Sequence, residues 1–269
     1  MPRIKVHGAD LYYEEHGGGP ETIVFAHGLL WDRRLFAPQI AALQDRYRCI
    51  AFDFRGHGES QVTAAGYDMD TLTEDAAELI RLLGCAPCHF AGLSMGGFVA
   101  MRLAIRHPEL IRSLMLLETS AEPEPEENLA RYRFLRFIAR WLGIGLVAGP
   151  VLKILFGEAF LADPARAEAR KEYRRCLIAN DRIGIHRAVL GVITRHGIDD
   201  QLDRIHRPTL ILVGDQDVAT VPAKAERMHA RIAGSILRVI PGAGHTSTLE
   251  EPEAVTRALE EFLAAQRSL

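Results

Sequence analysis

Gly92-Leu93-Ser94-Met95-Gly96-Gly97 decides how this sequence is read. It follows a short apolar run, Cys88-His89-Phe90-Ala91, and opens a helix-like segment from Phe98 to Ile105, so it sits where a strand turns sharply into a helix. Gly-x-Ser-x-Gly is common by chance, but in that setting it marks a strained turn that lifts a serine out as a nucleophile. Gly92 and Gly96 flank Ser94 without side chains, which permits the tight bend and a close approach of backbone to substrate. The Met95 N–H, at the helix N-terminus, then points at negative charge forming beside Ser94 Oγ.

Working outward, Thr22 to Ala26 and Arg48 to Phe52 are apolar runs of the kind found in strands covered on both faces. They stop at His27-Gly28-Leu29-Leu30 and at Asp53-Phe54-Arg55-Gly56-His57-Gly58-Glu59-Ser60. A hairpin, Lys5 to His7 and Leu11 to Glu14, precedes them, and Leu35 to Leu43 reads as a helix. Leu72, Ala76, Leu79, Ile80 and Leu83 share one face of a helix expected from Thr71 to Leu83, with Thr71 and Glu74 as a capping box and Gly84 as its end. Ser113 to Leu117 is another buried strand. Strands alternating with helices imply a parallel sheet with crossover helices on both faces.

That alternation breaks at Glu118. From there to about Asp200 the chain shows only helical patches, Leu129–Leu142, Pro150–Phe156, Pro164–Ala179 and His186–Thr194, the pattern of a helical insertion. Arg133, Arg136 and Arg140 recur there beside Phe134, Phe137, Ile138 and Trp141, which reads as a solvated basic face over an apolar underside. Strands resume at Pro208–Val213 and Ile236–Ile240, each followed by a helix, Lys224–Ile232 and Pro252–Ala265.

With 269 residues, 48% hydrophobic and 25% charged, the chain is an ordinary globular protein able to bury a large core. A net charge of -3 leaves no electrostatic footprint for nucleic acid. Met1 to Val6 runs straight into strand-like sequence, so a cytoplasmic location is the expectation. Cys49, Cys85, Cys88 and Cys176 lack zinc-ligand spacing and read as reduced thiols. The most apolar window, Trp141 to Phe156, is broken by three glycines, Pro150 and Lys153, and makes a poor membrane span.

A serine hydroxyl becomes a useful nucleophile only when a base takes its proton, and the base needs a third group to hold its tautomer. Gly242-Ala243-Gly244-His245 follows the last strand, which puts His245 where a parallel sheet presents its carboxyl ends. The other ten histidines lie in helices, turns, the insertion or the elbow strand, or in the loops at His27 and His57, which have other uses. Asp217 in Gly214-Asp215-Gln216-Asp217 is the favoured acid; Asp215 is nearer the strand, and Glu118 approaches from another strand end. Leu29 N–H and Met95 N–H are the expected oxyanion donors. Asp53 to Gly58 reads as structural, its charged groups satisfying backbone beside the site.

On His27-Gly28-Leu29, Asp53-x-Arg55-Gly56-His57-Gly58-x-Ser60, Gly92-Leu93-Ser94-Met95-Gly96-Gly97, Gly214-x-x-Asp217 and Gly242-x-Gly244-His245, the chain resembles the α/β-hydrolase superfamily. The resemblance implies an eight-stranded, mostly parallel sheet with a helical cap at 119–200 over a core of 1–118 and 201–269, and neither metal nor organic cofactor. Among its members the chain looks most like capped esterases and enol-lactonases, with Ser94, Asp217 and His245 catalytic. The expected substrates are small to medium apolar esters or lactones, in a pocket walled by Leu29, Leu30, Trp31, Leu93 and Met95. Enol-lactonase, carbon-carbon hydrolase, perhydrolase and a non-turnover receptor remain open on the same triad, as does a second copy of the chain as partner. The lactonase would need an arginine or lysine facing the pocket.

Overall fold

The computed structural model describes residues 2–266. Its elements are β1 (Arg3–Val6), β2 (Ala9–His16), β3 (Thr22–Ala26), α1 (Ala37–Leu43), β4 (Arg48–Phe52), α2 (Met69–Leu82), β5 (Cys88–Leu93), α3 (Met95–Arg106) and β6 (Ile111–Leu117). Then come α4 (Glu126–Trp141), α5 (Ala148–Leu155), α6 (Glu158–Ala162), α7 (Ala167–Ala179), α8 (Arg182–Ile193), β7 (Thr209–Gly214), α9 (Pro222–Arg231), β8 (Ile236–Ile240), α10 (Ser247–Glu250) and α11 (Pro252–Gln266). One eight-stranded sheet runs in the order β1-β2-β4-β3-β5-β6-β7-β8, antiparallel at β1-β2 and β2-β4 and parallel throughout the rest.

Successive strand residues face opposite ways, and the core divides accordingly. Val24, Phe90, Leu114, Leu116, Ile211 and Val213 pack with α2, α3 and α9 on one face. Phe25, Ala91, Met115, Leu117, Leu210 and Leu212 pack with α1 and α11 on the other. Each fully buried Leu or Phe contributes about 1.5–3 kcal/mol of transfer free energy, so both faces are needed to fix the sheet. Strand order reverses between β3 and β5, and the crevice beyond their carboxyl ends is where such sheets bind ligands. The stretch between β6 and β7 holds the five helices α4 to α8 and no strand.

One local expectation is corrected. α2 begins at Met69, and its cap is Asp68, whose Oδ1 accepts from Thr71 N at 2.8 Å and whose Oδ2 accepts from Thr71 Oγ1 at 2.8 Å. Thr71 therefore donates to the cap from inside the first turn, and the box with Glu74 does not form; Asp outranks Thr as an N-cap acceptor. Gly84 follows the helix at φ +59°, as expected of a left-handed terminator.

The crossing of α3 over β3 leaves no room for side chains at the elbow. A Cβ on Gly96 would run into the Ala26 carbonyl, whereas one on exposed Gly18 would meet nothing within 4 Å. Gly96→Ala should lower stability by about 1–3 kcal/mol, and Gly18→Ala should leave it within about 0.5 kcal/mol, both read by urea titration. Equal effects from the two would contradict this packing.

Candidate active site

Ser94 sits between β5 and α3 at φ 51°, ψ -109°, a backbone region that non-glycine residues rarely enter. Its N–H donates to Leu117 O at 2.9 Å and its carbonyl accepts from Thr119 Oγ1 at 2.8 Å, so the end of β6 and the loop just after it pin the turn. Serine at a helix N-cap ordinarily accepts from the first turn, but Ser94 makes no such bond. Its Oγ instead lies 2.9 Å from His245 Nε2.

His245 Nδ1 lies 2.9 Å from Asp217 Oδ2, completing a buried chain of three side chains drawn from the ends of β5, β7 and β8. Asp217 accepts further from Ala219 N at 2.8 Å, Thr220 N at 2.9 Å and Thr220 Oγ1 at 2.6 Å. Burial pushes its carboxyl pKa up, but the charge and hydrogen bond of His245 and the bonds from Thr220 outweigh this and hold it below the usual range. With Asp217 ionised, Nδ1 carries the proton and Nε2 is free to accept from Ser94.

The rival acids do other things. Asp215 Oδ1 accepts from Gly242 N at 2.8 Å and closes the turn after β8. Glu118 is fully buried at φ 41°, and neither of its carboxyl oxygens has a hydrogen-bond partner among the described residues. Burial pushes its pKa well above the carboxylate range, with the charges of Asp217 and Glu250 acting the same way and the nearby Ser247 hydroxyl and Gly214 backbone only partly opposing it.

The loop after β3 approaches the elbow closely: a Cβ on Gly28 would lie 3.0 Å from Leu93 Cδ2 and 3.4 Å from Ser94 Cβ. His27 accepts from Phe54 N through Nε2 at 3.0 Å and so donates through Nδ1 to Gly28 O at 2.7 Å. Burial lowers its pKa, which keeps it neutral in this role. Leu30 adopts φ 71°, with its carbonyl accepting from Asn180 Nδ2 at 2.9 Å. The Leu29 N–H has no partner among the described residues. Met95 N–H, first in α3, has none within the helix. Two unpaired amides thus flank Ser94. Beneath them, Asp53 holds the neighbouring loop by accepting from Arg33 N at 2.8 Å, Arg33 Nη1 at 2.9 Å and Glu59 N at 2.9 Å.

A cavity of about 140 Å³ opens on Ser94 and His245, walled by Leu29, Leu30, Trp31 and Leu93 from the sheet side. Met95 does not line it; its side chain is buried in the core with α2, so only its backbone faces the site. The roof comes from α4, α5 and α8, including Tyr132, Leu135, Arg136 and Ala139 of α4. The expected orientation of α4 is reversed at its aromatic residues: Phe134, Phe137 and Trp141 are 56–64% exposed. Residues 132, 135, 136 and 139 and residues 134, 137, 138 and 141 each form a stripe at helical spacing; Phe134, Phe137 and Trp141 of the second face outward, while Ile138 at its edge packs inward with Ala139, Ile144, Val147 and Ile185.

Several supporting residues carry no recognisable pattern in sequence. Buried Glu250 accepts from Gly157 N at 2.7 Å and from Gly244 N and Thr246 N at 3.0 Å, joining the His245 loop to the helical segment. Trp31 meets Phe156 and Tyr173 edge-on, at 6.0 Å and 5.9 Å between ring centroids. Arg136 is polar and lines the cavity, yet its Nη1 is buried without a hydrogen-bond partner among the described residues; Arg195 nearby is paired with Glu124 at 3.1 Å. Among the described residues no group of three His, Cys, Asp or Glu is arranged to hold a metal ion.

This fold and site define an α/β hydrolase. The chain belongs to the alpha/beta hydrolase family, whose model matches residues 23–258. It is similar to a thermophilic esterase from Thermogutta terrifontis, with 31% identity and a TM-score of 0.91 over 99% of each chain. It is also similar to the enol-lactonase from Burkholderia xenovorans LB400, with 28% identity and a TM-score of 0.91 over 98% of this chain and 100% of that one. In sequence it is 28% identical over 240 residues to 3-oxoadipate enol-lactonase 2 of Acinetobacter baylyi, covering 89% of this chain and 87% of that protein.

The raised pKa of Glu118 has a measurable signature. A carboxyl whose pKa is raised on folding contributes its full stability at acid pH and loses it as pH rises through the folded value. Glu118→Gln cannot ionise, so its urea midpoint should rise relative to wild type from about pH 5 to about pH 8. A difference that stays constant with pH would mean that Glu118 does not hold its proton.

Proposed function

We propose that the chain is a serine hydrolase of carboxylic esters or lactones that works through an acyl-enzyme on Ser94. The observation that carries this reading is the unbroken chain from Ser94 Oγ through His245 to Asp217, at 2.9 Å for each link, facing an apolar cavity. Ser94 Oγ attacks the carbonyl carbon as its proton passes to His245 Nε2. The Leu29 and Met95 amides hold the oxyanion, Asp217 stabilises the imidazolium, and the carbon-oxygen bond breaks as His245 protonates the leaving oxygen. Water then repeats the sequence on the acyl group and frees Ser94. One oxyanion donor is worth about 2.7–4 kcal/mol, so the two amides are a large part of the rate. Residues 119–200 act as a cap over a core of 1–118 and 201–269; the placement of α4, α5 and α8 over the cavity supports that division. Residues 1 and 267–269 of the core lie outside the described residues.

A second reading, a lactone bearing a carboxylate, is favoured by Arg136. Its buried Nη1 lacks an acceptor inside the cavity lining, and burial, then the charge of Arg133, lowers its pKa. A carboxylate there would supply the missing partner.

Kinetics on p-nitrophenyl esters of graded acyl length and on neutral and carboxylate-bearing lactones test both readings. Ser94→Ala should lose about 10³-fold or more in kcat on every substrate, and a fluorophosphonate should label Ser94 in the wild type alone. Arg136→Met should raise KM by about tenfold for carboxylate-bearing lactones and leave neutral esters unchanged. Full turnover in Ser94→Ala would sink the mechanism. An equal effect of Arg136→Met on both lactone classes would sink the second reading.

A further inference from the structure

The outward stripe of α4 is unexplained by the active site. Phe134, Phe137 and Trp141 lie on it, and Leu142 and Leu146, just beyond the helix, extend it; all five are more than half exposed. None of the five lines the cavity, although the opposite side of the same helix does. Basic side chains ring the patch. Arg133 and Arg140 flank the aromatics on α4, with the Arg140 guanidinium 4.7 Å from the centroid of the Trp141 ring. Arg174 Nη2 donates to Gly145 O at 3.4 Å, and Arg182 Nη2 would lie 3.1 Å from a Cβ on Gly143, so α7 and α8 bring two more arginines to the loop that carries Leu142 and Leu146.

These arginines differ from those of the sheet domain. Arg33, Arg48, Arg55, Arg106 and Arg227 each pair with a carboxylate. Arg133, Arg140, Arg174 and Arg182 have no carboxylate partner among the described residues. The overall charge conceals the asymmetry. Residues 126–195 carry 13 Lys and Arg against 7 Asp and Glu, a net +6, within a chain of net -3, so the remainder carries -9.

We propose that this face of α4, with the loop after it, docks on a bilayer surface carrying anionic headgroups, the aromatics entering the boundary between headgroups and acyl chains. A helix with aromatics at its centre and unpaired arginines at its edge has the composition of one that lies in a membrane interface. Arginine stems lie along the apolar surface while their heads reach phosphate. Self-association through the same face is disfavoured, because a two-fold contact sets each basic rim against its own copy. No helix among the described residues is long and apolar enough to cross a membrane, so the contact is peripheral. It places the roof of the cavity against the lipid, with one helix diameter, about 10 Å, between them.

Co-sedimentation with large unilamellar vesicles tests this independently of catalysis, since Ser94→Ala should bind as the wild type does. The wild type should bind vesicles of equimolar phosphatidylglycerol and phosphatidylcholine, bind pure phosphatidylcholine at least about tenfold more weakly, and be released by salt. Phe134→Ser with Phe137→Ser and Trp141→Ser should lose at least about tenfold in binding. Arg133→Gln with Arg140→Gln should lose at least about fivefold per arginine on the anionic vesicles alone. All these positions are away from the cavity lining, so the variants should keep wild-type melting. Failure to bind either vesicle, or equal and salt-insensitive binding to both, would overturn the proposal. So would a dimer in solution that Trp141→Ser dissociates, which would assign the face to a second copy.

Discussion

The conformation of Ser94 is the constraint on which the rest of the site depends. A residue held at φ 51°, ψ -109° carries strain of about 1–3 kcal/mol, and it persists only because its surroundings permit no alternative. The end of β6 and the residues just beyond it grip Ser94 from both sides, through Leu117 O and Thr119 Oγ1. Glycines at 92 and 96 let α3 descend onto β5 and β3 where any side chain would collide. Two consequences follow from one turn. Ser94 Oγ is turned away from its capping position toward His245, and the first amide of α3 is left unpaired beside it.

The other half of the site depends on the helical segment as much as on the sheet. Glu250 joins Gly157 to the amides on either side of His245, and a Cβ on Gly157 would lie 2.9 Å from Gly244 N. Asn180 holds the carbonyl of Leu30, next to the Leu29 amide, from the same segment. The histidine loop and the loop after β3 are therefore both positioned by residues outside the sheet. A change in the packing of α5 to α8 would reach both without touching Ser94. Burial and the charges of Asp217 and Glu250 push the Glu118 carboxyl well above the usual carboxylate range, which favours its protonated form beside Asp217.

Much of this was legible in the sequence because it rests on short-range rules. Apolar runs located all the central strands, most of them ending in glycine loops, and their alternation with helices implied the parallel sheet. The position of His245 after the last strand followed from the same rule, since parallel strands gather their carboxyl ends on one edge. Less legible was anything decided by tertiary competition. Asp68 and Thr71 both suit a helix start, and only the observed geometry selects Asp68. The two stripes of α4 have the same period, so periodicity could not say which faced the cavity, and apolarity suggested the wrong one. Glu250 and Asn180 sit in unremarkable sequence, and Arg136 read as one of a run of solvated arginines; what they do arises from contacts with residues far away in the chain.

The claim that the elbow, His245 and the two amides act as one site is tested most directly by a crystal structure of the protein after reaction with a p-nitrophenyl alkylphosphonate, a stable mimic of the tetrahedral intermediate. Phosphorus should be bonded to Ser94 Oγ, with the phosphoryl oxygen within about 2.7–3.1 Å of both Leu29 N and Met95 N and the alkyl chain in the cavity beneath α4. An adduct on another residue, or a phosphoryl oxygen turned away from those amides, would contradict it.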